Sequence, residues 1–300
     1  MKIKTIKEEF HEPVLVEAVI RYLEPSPSKK FIDATLGSGG HALEVIGKGG
    51  HVLGIDQDET ILKTAEARLD TICPEKDCFK LYHGNFRKIN EIAKKEGFYP
   101  ADGILFDLGV SNIHLTDPER GFSFTNPEAE LDMRTDPKTQ SVKASDLLNV
   151  LRQDQLRSMF EVVMDKGAAL WLAKRVIRAR EASPFKNVGD ILEVTKGIRS
   201  KPGLNPATLP MLALRIAVGS ELENLKEALP KAFETLTRGG RLAVISFHSS
   251  EERLVKEFFK ERQIKKEAVL LTKDPIVADE EELRLNPRSR SAKMRVLEKI

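Results

Sequence analysis

The residues best suited to chemistry are a run of glycines and two acids, Asp56 and Asp107, that each follow a short apolar run. Gly37-Ser38-Gly39-Gly40 comes just after a run that ends at Asp33, and Asp56 closes the next run. Glycines at a strand tip let a ligand approach the backbone closely. A carboxylate about twenty residues further on can accept the two hydroxyls of a ribose. The spacing Gly37-x-Gly39-x-x-Ala42 matches the dinucleotide fingerprint with alanine last. The stretch therefore points to an adenosine-containing cofactor, either NAD(P) or S-adenosylmethionine. S-adenosylmethionine has no pyrophosphate. It needs room for a methionine tail, an acid for the ribose and partners for adenine. Phe86 and Asp107 fall at the tips of the next two apolar runs. The ring can lie against adenine, and the carboxylate can accept from its amine. A dehydrogenase should add a second domain with a His or Lys acid, and no such pattern is evident.

These groups need a framework that gathers strand tips. Phe31–Ile32 reads as a first strand, His41 to Ile46 as a helix and His51–Ile55 as a second strand. A helix over Glu59–Leu69, a strand at Phe79–Tyr82, a helix to about Lys95 and a strand at Asp102–Phe106 continue the alternation. This βα rhythm predicts a parallel sheet covered by helices on both faces. An amphipathic helix opening at His11-Glu12-Pro13 precedes it, with Leu15, Ala18, Val19 and Tyr22 on one face.

The rhythm breaks from Leu115 to Arg215. Gly121–Pro137 reads as an ordered loop, and helices follow at about 154–164, 168–180, 188–196 and 206–218. A strandless stretch after strand four is an inserted helical subdomain. The expected division is 1–114 with 216–300 for the sheet, and 115–215 for the insert. A helix at Glu221–Leu236 and a strand at Arg241–Phe247 resume the sheet. Glu267–Leu271 and Met294–Leu297 would pair as a hairpin and add one antiparallel edge strand.

The 300 residues suffice for one large domain with an insertion. No run is apolar enough to span a membrane and no signal core opens the chain, so a cytoplasmic location is the expectation. Cys73 and Cys78 form a lone Cys-x4-Cys, which argues against zinc and for two free or transiently paired thiols. Net charge is only +2, so any nucleic-acid contact must come from local patches. One such patch is Lys166–Lys201, with nine Lys and Arg against Glu181, Asp190 and Glu193. On its first helix Trp171, Lys174, Arg175 and Arg178 share a face, opposite Ala169, Leu172, Ala173 and Val176. The acidic run Asp279–Glu282 reads as a solvated loop, and NPRSRSAKMR as a second basic stretch.

HEPVL at 11–15, GSGGH at 37–41, DGILFDLGVS at 102–111 and ERGFSF at 119–124 stand in order, followed by LDMR at 131–134, SFHSSEER at 246–253 and NPRSRS at 286–291. Together they resemble the MraW/RsmH family, bacterial methyltransferases that modify the N4 amine of a cytidine in small-subunit ribosomal RNA. The resemblance covers nearly the whole chain. It implies a class I S-adenosylmethionine-dependent methyltransferase, with a Rossmann-like, mostly parallel sheet and a helical insert. The implied target lies in the decoding region, in naked RNA or in the small ribosomal subunit. The family's cofactor residues fall on Gly39, Gly40, His41, Asp56, Phe86 and Asp107. A further contact, commonly glutamine, falls on His114, where the side chain differs in shape and charge.

The chemistry expected is direct attack of a cytosine amine on a sulfonium methyl. Asp107, or the carbonyls of Leu108 to Val110, would accept the amine hydrogens. No tyrosine follows strand four, so Phe122, Phe124 and Phe247 are the candidates to sandwich the base. Arg288 and Arg290 would meet RNA phosphates. The alternatives are an NAD(P)-dependent oxidoreductase and a non-catalytic ribosome-assembly factor. Oligomeric state is left open.

Overall fold

The strand runs carry apolar residues on both faces, so they require cover on both sides. A computed structural model describes residues 13–75, 77–109, 111, 114–115, 117–200 and 203–300. Its internal contacts divide it into two units. One takes the chain to Val110 and resumes at Glu223, and the other is Ser111–Leu222.

In chain order the first unit begins with α1 (Val16–Leu23), β1 (Lys30–Asp33), α2 (Gly40–Gly47) and β2 (His51–Asp56). It continues with α3 (Glu59–Leu69), β3 (Phe79–His83), α4 (Ile89–Glu96) and β4 (Ala101–Asp107). The second unit supplies α5 (Ala144–Val150), α6 (Gln153–Glu161), α7 (Lys166–Ala182), α8 (Val188–Thr195) and α9 (Thr208–Gly219). Then come α10 (Glu221–Thr235), β5 (Leu236–Ser246), α11 (Ser249–Ile264), β6 (Ala268–Leu270), α12 (Glu280–Leu285) and β7 (Lys293–Lys299).

The sheet order is β3-β2-β1-β4-β5-β7-β6. The first five strands are parallel, and β7 runs antiparallel to both its neighbours. This is the mostly parallel α/β sheet expected of a class I methyltransferase. One detail differs. The antiparallel strand is not the edge but lies between β5 and β6, and 268–270 is the edge. The two are not a tight hairpin either, because α12 and a 3-10 turn at Pro287–Ser291 lie between them.

Period-two alternation sorts each strand between two cores. Ile32, Leu53, Ile55, Ile104, Phe106 and Val244 meet α4, α10 and α11 on one side. Phe31, Val52, Leu105, Ala243, Ile245 and Met294 meet α1, α2 and α3 on the other. The register sets Asp33 beside Leu105, Asp56 beside His83 and Asp107 beside Ile245. The acids Asp33, Asp56 and Asp107 therefore crowd one edge of the sheet. The strand order reverses between β1 and β4, where the crevice of such sheets takes its ligand.

Two local expectations change, and one is narrowed to the paired form of the two thiols. His11 and Glu12 lie outside the described residues, and α1 starts at Val16, after Pro13 rather than on it. The acidic run is not a loop: Asp279 accepts the Glu282 N–H at 2.8 Å and caps α12. Cys73 and Cys78 are joined by a disulfide.

In the second unit α7 buries Ala169, Leu172, Ala173 and Val176, and exposes Trp171 and Lys174. Asp165 caps it, accepting from the N–H groups of Gly167 and Ala168 at 3.0 Å. The loop before α5 is held by Asp132, which takes Arg134 Nε and Nη2 at 2.7 Å each. No helix among the described residues is long and apolar enough to cross a membrane.

Candidate active site

The glycine turn is fixed by the acid that follows it. Gly37 N–H donates to Asp56 Oδ2 at 3.0 Å, and Asp58 N–H donates to Asp56 Oδ1 at 2.9 Å. A carboxylate oxygen can accept more than one hydrogen bond, so an acid that fixes the turn is also of the type that a ribose hydroxyl meets. Gly37 and Gly39 hold φ of +52° and +77°, the left-handed region that glycine enters without penalty. Gly40 is needed for space: a Cβ there would stand 2.9 Å from Pro13 Cγ.

The turn delivers His41 to the first turn of α2, where it is buried. Its Nε2 lies 3.4 Å from Asp107 Oδ2. Asp107 is anchored through its backbone, whose N–H donates to Thr35 Oγ1 at 2.6 Å. Asp33 is equally buried, and its Oδ1 accepts from Thr35 N–H at 3.2 Å. Asp33 Oδ2, Asp107 Oδ1 and both ring nitrogens of His41 are buried with no hydrogen-bond partner among the described residues. Unpartnered buried polar atoms are costly in a folded chain, and converging on a crevice they mark a place for a ligand.

The charges there are unbalanced toward acid. Burial pushes the Asp33 carboxyl up to about 7, against the pull of His41. Burial works to lower the His41 pKa, but Asp107, Asp33 and Glu282 outweigh it and raise it. Glu282, on α12, also accepts Leu15 N–H at 2.7 Å. Arg288 is half-buried and within electrostatic reach of Asp107; burial lowers its pKa and Asp107 opposes that.

Phe86 is half-buried and meets Phe106 edge-on at 5.4 Å. Asn85 caps the turn that begins there, accepting Arg87 N–H at 2.9 Å. Beyond Asp107 the chain bends at Gly109, whose φ is +106°. A Cβ on Gly109 would stand 3.8 Å from the Phe247 ring, so that ring borders the bend. Leu108 N–H donates to Ile245 O at 3.0 Å, which ties the bend to β5. Val110 lies outside the described residues.

In the first unit, then, the structure brings Gly39, Gly40, His41, Asp56 and Asp107 to the β1–β4 crevice, and draws Arg288 toward it. Phe86 follows β3 at the same edge of the sheet. Arg290 is exposed on the same 3-10 turn as Arg288. His114 belongs to the second unit, where it is buried and lies 5.1 Å from the Phe122 ring. Phe122 is buried there and Phe124 is exposed. Two residues carried no sequence expectation of function: Asp33 and Glu282. Asp33 had a signal, an acid at a strand tip just before a glycine turn. Glu282 had none, because only the fold returns α12 to Leu15.

Residues 8–300 match the MraW methylase family. A relative from Methylacidiphilum infernorum, named ribosomal RNA small subunit methyltransferase H, is 41% identical over 314 residues, covering 100% of this chain and 98% of its own. Relatives of the same name from Caldicellulosiruptor saccharolyticus and Dictyoglomus thermophilum are 38% and 39% identical over 312 and 295 residues. They cover 97% of this chain each, and 99% and 97% of their own. With a family match over almost its full length and relatives aligned end to end, this chain belongs to the MraW methylase family.

Proposed function

We propose that the protein transfers a methyl group from S-adenosylmethionine to the exocyclic N4 amine of a cytidine in the decoding region of small-subunit ribosomal RNA. One observation carries the choice of cofactor. The crevice sets Asp33 and Asp107 beside one buried imidazole, with Asp56 within electrostatic reach of Asp33 and one oxygen each of Asp33 and Asp107 unpartnered. That surplus of acid suits a cationic sulfonium and ammonium ligand, and repels the pyrophosphate of NAD(P).

Gly39, Gly40, His41, Asp56, Phe86 and Asp107 would hold the cofactor, with His114 as the family's further contact. When bound, it supplies an electrophilic methyl. A cytosine amine is a poor nucleophile, because its lone pair is delocalised into the ring. Asp107 Oδ1 has the free lone pairs to accept an amine hydrogen and sharpen that lone pair. The surplus proton leaves once the N–C bond has formed, so no strong base is required. Holding the reactants in line supplies much of the rate. Phe247, at the bend, is the ring on the first unit best placed to stack on the base.

For RNA, the basic face of α7 offers Lys174, Arg175 and Arg178 beside Trp171, and Arg175 stacks on that ring at 4.8 Å. The inserted unit Ser111–Leu222 serves as the substrate-recognition part, and Arg290 adds a phosphate contact. The small ribosomal subunit is the partner proposed.

Calorimetry with S-adenosylmethionine and with NAD(P) tests the cofactor, and label transfer from methyl-labelled cofactor to small-subunit RNA and to subunits tests the reaction. Binding of the first ligand alone, with label recovered as N4-methylcytidine, is the result expected. Asp107→Ala should abolish transfer and weaken cofactor binding. Tight NAD(P) binding, or an Asp107→Ala protein with normal transfer, would overturn the assignment.

A further inference from the structure

Asp107 must present one oxygen to an amine, yet a carboxylate on a strand tip can rotate about two bonds. Its backbone is fixed by Thr35 Oγ1, but that bond does not orient the carboxylate. The only side chain within ion-pair distance of it among the described residues is His41, at 3.4 Å from Oδ2. That separation is longer than a formed charge-assisted hydrogen bond, as is common before substrate arrives.

The protonation of His41 follows from its neighbours. A neutral imidazole needs an acceptor on one nitrogen and a donor facing the other. The charged groups that act on this ring are Asp107 from β4, Asp33 from β1 and Glu282 from α12, and the one within ion-pair distance, the Asp107 carboxylate, can only accept. Arg288, the nearby cation, interacts with Asp107. The first turn of α2 disfavours a cation, but the Asp107 carboxylate at 3.4 Å, with Glu282 adding to it, outweighs one helix terminus. An imidazolium, with both nitrogens donating, is the form this surrounding accommodates.

We propose that His41 is a positioning residue: as an imidazolium it holds Asp107 through Oδ2 and so turns Oδ1 toward the amine to be methylated. The proposal deepens the methyl-transfer reading and rests on it for the identity of the amine, but the His41–Asp107 coupling is testable without any cofactor. When the amine nitrogen bonds to the methyl carbon, the C–S pair stays on sulfur and the nitrogen becomes cationic. Its proton passes to Asp107 Oδ1 and on to solvent. His41 keeps its own proton throughout. Raising the pH until His41 deprotonates should release Asp107 and slow turnover.

Two measurements test this. The first follows the His41 ring nitrogens by NMR in the cofactor-free protein from pH 5 to pH 10, in the parent and in Asp107→Asn. The expected result is an imidazolium at pH 7 that titrates above the ordinary histidine value, and a lower midpoint in Asp107→Asn. A neutral tautomer at pH 7, or an unchanged midpoint, would overturn the proposal. The second compares parent with His41→Gln, after confirming that each unfolds cooperatively. His41→Gln should lose about tenfold or more in kcat, with KM for RNA within about threefold, and the alkaline limb of the pH profile should disappear. A variant that loses only KM, or that keeps the alkaline limb, would refute a positioning role. If no S-adenosylmethionine binds to the parent, the methyl-transfer reading fails, while the NMR result still decides the coupling.

Discussion

At the scale of single residues, the site is costly to the fold. Asp33 is fully enclosed, and its carboxyl is pushed from the usual carboxylate range up to about 7. The native state therefore binds more protons than the unfolded chain between about pH 4 and pH 7. Stability falls as pH rises across that window, by on the order of 4 kcal/mol in the limit. The raised pKa of His41 acts in the same direction, because its contribution is present at low pH and lost as pH rises through its folded value. Asp33→Asn should flatten the decline. Melting temperatures at pH 5, 6, 7 and 8 should fall steeply for the parent and more gently for the variant. Parallel curves would mean that Asp33 is not the group that titrates. Such strain at a crevice is what a site kept ready for a cation requires.

At the scale of elements, the sheet tolerates no extra bulk where helices and strands press closest. A Cβ on Gly103 in β4 would stand 2.6 Å from Phe31 Cδ1 in β1. Gly103→Ala should cost about 1–3 kcal/mol, read as a lower urea midpoint with an unchanged slope. Gly47, at the end of α2, meets nothing within 4 Å and has no left-handed φ. Gly47→Ala should be neutral or gain about 0.5–1 kcal/mol. If both substitutions cost the same, chain flexibility rather than packing explains the glycines. The alternation of apolar residues showed every strand of the parallel half, because those runs are buried on both faces. It did not show α5 or α12, which are too short for a helical period to register.

At the scale of the whole molecule, a net charge of +2 conceals an uneven distribution. Acids collect at the strand tips, and bases collect on α7 and on the turn at Pro287–Ser291. RNA affinity should therefore respond to salt through a few residues. Lys174→Glu and Arg178→Glu should each weaken binding and lower the slope of log affinity against log salt by about 1. Arg290→Glu should do the same. Arg288→Glu should differ, because its half-buried guanidinium sits within reach of Asp107. Turnover should fall at every salt concentration, where a mere phosphate contact would be masked at low salt. Filter binding across a salt series, run beside turnover, separates the two behaviours.

The amino-acid order alone determined the alternating strands and helices, the glycine turn, Asp56 and Asp107 at strand tips, and a strandless insert. Each of these rests on contacts within a few residues: period-two burial, glycine's left-handed φ, the reach of one turn. Only the tertiary structure decided that β7 slips between β5 and β6, that Glu282 returns to Leu15, and that Arg288 comes near Asp107. It alone decided that His41 lies against Asp107. Those pairings join segments far apart in the chain, and no local periodicity encodes a contact whose two halves are brought together only by the packed sheet.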